Sequence, residues 1–445
     1  FDHGGSQVYI VRVANNASGA AMRLPAAEGA LILRAQEPGS TESIRVAVDY
    51  DRLPSSDTEH FNLTVQRTSP ATSLVLDQEI YNRLSCSATS RNYVADALLD
   101  SDLVRVKSVE STARPFATMG PHINVSTPYI AHDQCGTDGD ELSDYDLVGS
   151  ATEQTGIFAL NGVDGLDLLY LPPGGSEQDL GPAAIMAAEL YCGKRGAMLI
   201  LDPPGGWASV EDAIIGARSS GLSSANVLTY FPRLAERGDP LAKSRAVGGA
   251  IAGLLCKLDD EVGPWNELDQ PAFSFRQGLE PALDLQHAES ASLARQGVNV
   301  IAGNAAGRLT LQGSVTAARR TQRDEQLVSL ATRRLCLHIT NAIGQATRWA
   351  VFASGGSLVE GRLQAQVDAF MKSLAGEGAF EGGNFDVSCE TRLQEGPLDP
   401  ARGVTILVSF LPVASSNYVR VTLHQTVEAC TVRSTAFAPA IVARA

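Results

Sequence analysis

Apolar and polar positions alternate with a period of two through much of the first 130 residues. ALILRA (30–35), SIRVAVDY (43–50) and FNLTVQR (61–67) run between Pro, Gly and Ser breakers, which predicts half-buried strands. QVYIVRV (7–13) is β-branched and aromatic and follows the turn-like Gly4-Gly5, so it also reads as a strand. Glu79 to Leu84 and Tyr93 to Leu99 read as short helices, and Leu103 to Val106 as a strand.

The texture changes after a polar, Gly- and Asp-rich loop at 129–147. GVDGLDLLYLPP (162–173) predicts an apolar strand ending in prolines, followed by a small-residue helix at 182–193. AMLILDPP (197–204) repeats the strand pattern, a helix at about 209–220 follows, and NVLTYFPRL (226–234) is the third strand. Strand, helix, strand, helix, strand at this spacing indicates a parallel α/β sheet. A further small-residue helix is expected at 248–263.

In the last third, Val328, Ala331, Leu335, Ile339, Ala342 and Ala346 advance by three or four, as do Val359, Leu363, Val367, Phe370 and Leu374. Two amphipathic helices follow from that period. Phe385 to Cys389, Val404 to Phe410 and Tyr418 to Leu423 then predict three strands, so the segment reads as α+β with an antiparallel sheet.

The length of 445 residues gives room for two to four domains, and 44% hydrophobic with 19% charged residues removes the disordered, collagen and coiled-coil classes. The longest apolar stretches, such as Ile157 to Leu171, are broken by Asn161, Asp164 and Asp167, so no membrane insertion is expected. A formal charge of −15 argues against direct nucleic-acid contact. Seven scattered cysteines without a CxxC pair point to a reducing compartment. The chain opens on Phe1 with no secretory pattern, which reads as a start inside a longer gene product.

Candidate chemistry is thin. The loop with Asp133, Asp138, Asp140, Glu141, Asp144 and Asp146 raises calcium, but an EF-hand register from Asp138 meets Leu142 and Ser143 where an oxygen ligand and Gly are needed. No GxSxG elbow accompanies the α/β pattern, and the seven histidines show no HExxH or HxH spacing. GEGAFEG (376–382) has Glu381 where the last Gly of GxGxxG belongs and follows a helix, so it reads as a helix cap and turn. Gly193-Lys194 lacks the rest of a phosphate loop. No catalytic, cofactor or metal residue is therefore assigned.

Two features invite a binding role. Arg319, Arg320, Arg323, Arg333 and Arg334 form the one basic cluster, either a solvated helix face or a surface for docking on an acidic protein. Asn417 to Val427 alternates cleanly after the small-residue hinge Ala414-Ser415-Ser416, and such a strand either joins its own sheet or completes a neighbour's.

Taken in order, several segments resemble the contractile tail sheath family of bacteriophages and phage-tail-like particles. They are GGSQVYIVRV (4–13), GTDGD (136–140), LDLLYLPP (166–173), AMLILDPP (197–204), VGGAIAGLLCKLDDEVGPWNE (247–267), GVNVIAG (297–303), TRWAVF (347–352) and PVASSNYVRVTL (412–423). The resemblance implies a subtilisin-like α/β core without protease activity, a β-rich outer insertion and a C-terminal α+β domain near the tail tube. On that basis residues 1–21 supply an N-terminal core strand, 22–128 the insertion, 129–318 the α/β core, and 319–445 the C-terminal domain.

The family's subunits stack as hexameric rings around a tube and are knitted by strand addition. That assigns the exchanged or augmented strand to Tyr418, Val419, Arg420, Val421, Thr422 and Leu423, and a tube-facing or inter-subunit surface to the arginine cluster. The implied partners are further copies of the chain, a tail tube protein, and baseplate and tail terminator proteins. The implied place is a virion tail assembled in the host bacterial cytoplasm, with contraction driving the tube through the host envelope. Two departures from the family are that no N-terminal arm precedes GGSQVYIVRV and that ACTVRSTAFAPAIVARA (429–445) continues past the last pattern as a further strand and tail. The same pattern admits the sheath of a tailocin or another contractile injection system. Rivals from other classes are an α/β hydrolase with an unrecognised triad, and a binding module that uses 22–128 for carbohydrate or a host surface.

Overall fold

The computed structural model describes residues 2–40, 43–118, 129–131, 135–174, 178–238, 244–268, 270, 272–304, 307–318, 328–353, 357–391, 403–413, 415, 417–427 and 430–437. It divides into two compact units, Arg12–Asp146 and Phe1–Val11 with Leu147–Ala445.

The first unit holds β1 (Ala21–Pro25), β2 (Ala30–Ala35), β3 (Ile44–Asp49), β4 (His60–Thr68), β5 (Val75–Ser85), α1 (Val94–Ala97), β6 (Val104–Val109) and β7 (Ile130–Ala131). The strands form two antiparallel sheets, ordered β1-β2-β6 and β5-β4-β3-β7. Met22, Leu33, Val46, Phe61, Leu63 and Leu98 meet in one buried cluster. Burying that apolar face is what holds strands of this length together. The acidic stretch ends in a short helix, α2 (Asp144–Val148).

Two sequence expectations fail in their local conformation. Glu79 to Leu84 is not helical but lies within β5, paired with β4. Its polar residues tolerate either state, and the long antiparallel partner decides in favour of strand. Residues 7–13 form no strand, and Val8, Tyr9 and Ile10 are exposed, Ile10 by 84%. Propensity favours extended backbone there, but a ladder also needs a neighbour, and no described strand pairs with the segment.

The second unit begins with β8 (Leu168–Tyr170), α3 (Pro182–Arg195), β9 (Met198–Leu201), α4 (Val210–Ser219), β10 (Val227–Phe231), β11 (Leu234–Glu236), α5 (Gly248–Glu261), β12 (Leu279–Pro281), α6 (His287–Ala294), β13 (Asn299–Gly303) and β14 (Leu309–Gln312). A five-stranded sheet is ordered β14-β13-β10-β9-β8, with β8, β9, β10 and β13 parallel and β14 antiparallel. Leu199 and Val227 face α3, while Met198, Ile200, Leu228 and Tyr230 face α5. A sheet covered on both faces accounts for apolar runs in place of alternation. The strand expected over 162–173 shrinks to Leu168–Tyr170, with a bend at Asp164-Gly165, where Gly165 has a φ of 70°, on one side and Pro172-Pro173 on the other.

Asp202, just beyond β9, ties this sheet together. One carboxylate oxygen accepts the Tyr170 hydroxyl at 2.7 Å, and the other accepts the backbone N–H groups of Val247 and Gly248 at 2.9 Å each, at the start of α5. An anion at a helix N-terminus is favoured by the unpaired N–H groups there. Gly248 is required because a Cβ would lie 2.2 Å from the Tyr170 ring. Gly248→Ala therefore displaces that ring from Asp202 and lowers stability by about 1–3 kcal/mol, the usual cost of overpacking. Urea unfolding checks this, and an unchanged midpoint would refute the contact.

The chain ends with α7 (Leu330–Ala346), α8 (Ser357–Gly376), β15 (Phe380–Thr391), β16 (Val404–Pro412), β17 (Tyr418–Gln425) and β18 (Cys430–Phe437). Ser329 caps α7 by accepting the Thr332 N–H, and the helix is buried along most of its length. The last four strands form one antiparallel sheet in sequence order, the three read from the pattern plus the further strand expected within 429–445. Leu363, Val367 and Met371 of α8 and Ile339 and Ile343 of α7 pack on its inner face.

Candidate interaction surfaces of the C-terminal unit

The alternation of Tyr418–Leu423 puts Val419, Val421 and Leu423 wholly inside the core and leaves Tyr418, Arg420 and Thr422 on the other face. This strand is not at an edge. Phe410, Val408 and Ile406 of β16 stand opposite Val419, Val421 and Leu423 on one side, and β18 runs from Phe437 opposite Tyr418 to Cys430 opposite Gln425 on the other. The outer strands of the sheet are β15 and β18. The linker between β17 and β18 is short, and Cys430 and Val432 of β18 are exposed, the latter by 45%.

The arginine cluster is not one surface. Arg319, Arg320 and Arg323 lie outside the described residues. Arg334 is a correction to the surface expectation. It is 6% exposed and its Nη2 donates to both carboxylate oxygens of Asp259 on α5. One residue along a helix turns the side chain through about 100°, so Arg334 points into the α5 packing and Arg333 does not.

Arg333 is half-buried, and its Nε and Nη2 both donate to Asn226 Oδ1, at 2.8 and 2.6 Å. Burial pushes its pKa down. It lines a cleft of about 980 Å³ within the second unit, bounded by the turn at Asp164, the end of α3, α7, and the facing ends of β17 and β18. Lys194, Arg195 and Arg348 line the same cleft. No sequence pattern singles out these three. They are spread over more than 150 positions, and the basic last turn of α3 is the one local signal.

A second cavity, of about 530 Å³, opens beside the carboxyl ends of β9 and β10, where open α/β sheets commonly bind ligands. Arg233 reaches it, ion-paired to Asp179 at 2.7 Å and donating to the Pro203 carbonyl. Ser220, Ser223 and Ser224 line this cavity but no histidine does among the described residues, so it offers no Ser-His pair. Thiol nucleophiles fare no better in the core. Burial pushes Cys336 up to about 11 and Cys192 up to about 12, which keeps both protonated at neutral pH.

No family model matches the chain. Over 226 residues, 49% of the chain, it is 24% identical to the tail sheath protein of Vibrio phage KVP40, and the match spans 31% of that protein's length. The crystal structure of a sheath tail protein from Desulfitobacterium hafniense superposes with a TM-score of 0.51 at 12% identity, covering 93% of this chain and 83% of that one. The helical sheath of the anti-feeding prophage in its contracted state aligns with a TM-score of 0.47 at 20% identity, covering 63% of this chain and 75% of that one.

Proposed function

We infer that this chain, a relative of contractile tail sheath proteins, is a structural subunit of a contractile sheath in a phage or phage-like particle. The observation that carries the reading is the 226-residue match to the phage KVP40 tail sheath protein. The mixed-fold likeness to the D. hafniense protein over nearly the whole chain supports it.

In this reading the parallel sheet with α3 to α6 corresponds to the subtilisin-like core. Copies of the chain stack as hexameric rings around a tube protein, between a baseplate and a terminator, in a tail assembled in the host cytoplasm. The C-terminal sheet does the linking. Because β17 has partners on both sides within its own chain, it is the receiving strand. A neighbour's β18 takes the place of the chain's own beside Tyr418 to Leu423, in the register that the chain itself uses. Such an exchange keeps the backbone hydrogen bonds while the folded bodies repack. Contraction is then the passage between two packings of the same subunits, driven by their free-energy difference without nucleotide hydrolysis.

Negative-stain electron microscopy of the protein at rising concentration, with and without tube protein, tests the reading. Hollow, helically striated cylinders are expected. Monomeric particles under every condition, for the full gene product as well, would overturn it.

A further inference from the structure

We propose that the cleft lined by Lys194, Arg195, Arg333 and Arg348 receives an acidic segment, residues 138–146, from a second copy of this chain. The proposal rests on the sheath reading for the source of that second copy, and on the following geometry for the site.

In a chain with 50 acidic and 35 basic residues, a cleft lined at random should carry more acids than bases. Among the described residues this one has four cations and a single carboxylate, Asp164. Among the described residues none of the four cations is in an ion pair. Arg333 donates only to the neutral Asn226 amide oxygen, and Arg195 only to the backbone carbonyls of Asn161 and Val163. A half-buried guanidinium with a neutral partner is poorly compensated, and its remaining N–H donors suit a carboxylate. Its neighbour Arg334 shows the contrast, since it has Asp259.

The helix end explains part of the charge. Lys194 and Arg195 occupy the last turn of α3, where cations offset the carbonyl end of the helix. That accounts for neither Arg333 nor the exposed Arg348, which come from α7 and the turn after it. The volume of about 980 Å³ stands at the top of the range for ligand pockets, and the lining includes Leu166, Leu337 and Val432. Both features fit a peptide with apolar side chains better than a small free anion.

Residues 138–146 (DGDELSDYD) offer such a peptide, with five carboxylates in nine residues. Leu142 and Tyr145 are exposed, Tyr145 by 79%, and the Glu141 carboxylate has no partner among the described residues. The Ser40 hydroxyl and N–H hold Asp138 below the usual carboxylate range, and those of Ser143 do the same for Asp146, so these two carboxylates stay anionic further into the acid range than free ones.

The test is fluorescence anisotropy of a labelled peptide of residues 136–148 titrated with the whole chain, alongside a control peptide with every Asp and Glu replaced by its amide. Saturable binding is expected for the acidic peptide alone. It should weaken at least about tenfold as salt rises to several tenths molar, as screening requires for exposed charges. The double variant Lys194→Glu, Arg348→Glu should weaken it similarly, and because both side chains are exposed the variant should stay folded, with melting lowered by no more than a few degrees from the acid placed at the carbonyl end of α3. No binding, equal binding of the amide peptide, or wild-type affinity in the variant would each overturn the proposal. Microscopy of the same preparations separates the two readings. Cylinders without peptide binding would remove the cleft's role and leave the sheath, whereas peptide binding without cylinders would support the cleft and count against the sheath.

Discussion

Phe410→Ala lowers the unfolding free energy of the C-terminal unit by about 3–5 kcal/mol, the usual cost of truncating a buried aromatic side chain. Phe410 is fully buried on β16, between Phe385 of β15 and Val419 of β17. Its ring centroid lies 5.2 Å from that of Phe380, and α7 and α8 close the same cluster. Rigid helices on one side and strand pairing on both others leave little room for collapse around the lost ring, which places the cost high in the range. Phe410→Leu should lose much less, because it retains most of the buried area. Chemical denaturation followed by tryptophan fluorescence reads the transition, since Trp265 and Trp349 pack against this core. A loss below about 1 kcal/mol for the alanine variant would show that the sheet is not built around this residue.

A chain ending at Val427 stays folded but forms no cylinders, and a peptide of residues 428–445 binds it without restoring them, because a free strand fills the edge of β17 without joining two subunits. A cut at 417 instead removes Val419, Val421 and Leu423, all fully buried, and is expected to unfold the C-terminal unit. The two truncations separate the contribution of β17 to the core from that of β18 to the edge. The shorter cut leaves one side of β17 with unpaired backbone groups, an open site for an added strand. Size-exclusion chromatography and circular dichroism establish the fold, and microscopy establishes assembly. Normal cylinders from the chain ending at Val427 would end the linking role of β18, while loss of fold in that chain would show that β18 belongs to the core after all.

Elements with a strong hydrophobic period are legible in the amino-acid pattern alone. ALILRA forms β2 with the same ends, and the helices expected at 182–193, 209–220 and 248–263 appear as α3, α4 and α5. Each is long or bounded by Pro, Gly or a cap, so local energetics and tertiary packing agree. Helix α6 escapes a reading by period although Gln286 and Glu289 form a reciprocal cap at its start, because its eight residues carry little apolar repeat. The candidate interaction residues divide in the same way. The strand character of Tyr418 to Leu423 lies in its alternation, whereas its interior position depends on pairing with β18, which that alternation does not record.

The amino-acid order therefore specifies the set of faces: which side chains in a strand or helix share one side, and that the chain mixes a parallel α/β segment with an antiparallel α+β one. Those follow from the periods of 2 and 3.6, which are local properties of the backbone. Which faces and edges find partners is settled by tertiary contacts. They pair β5 where a helix was expected and, among the described residues, leave 7–13 without a strand neighbour. They turn Arg334 inward onto Asp259 while Arg333 joins cations from α3 and from the turn after α7. Strand pairing and charge compensation are set by residues far apart in the chain, and no local pattern records which distant groups will meet.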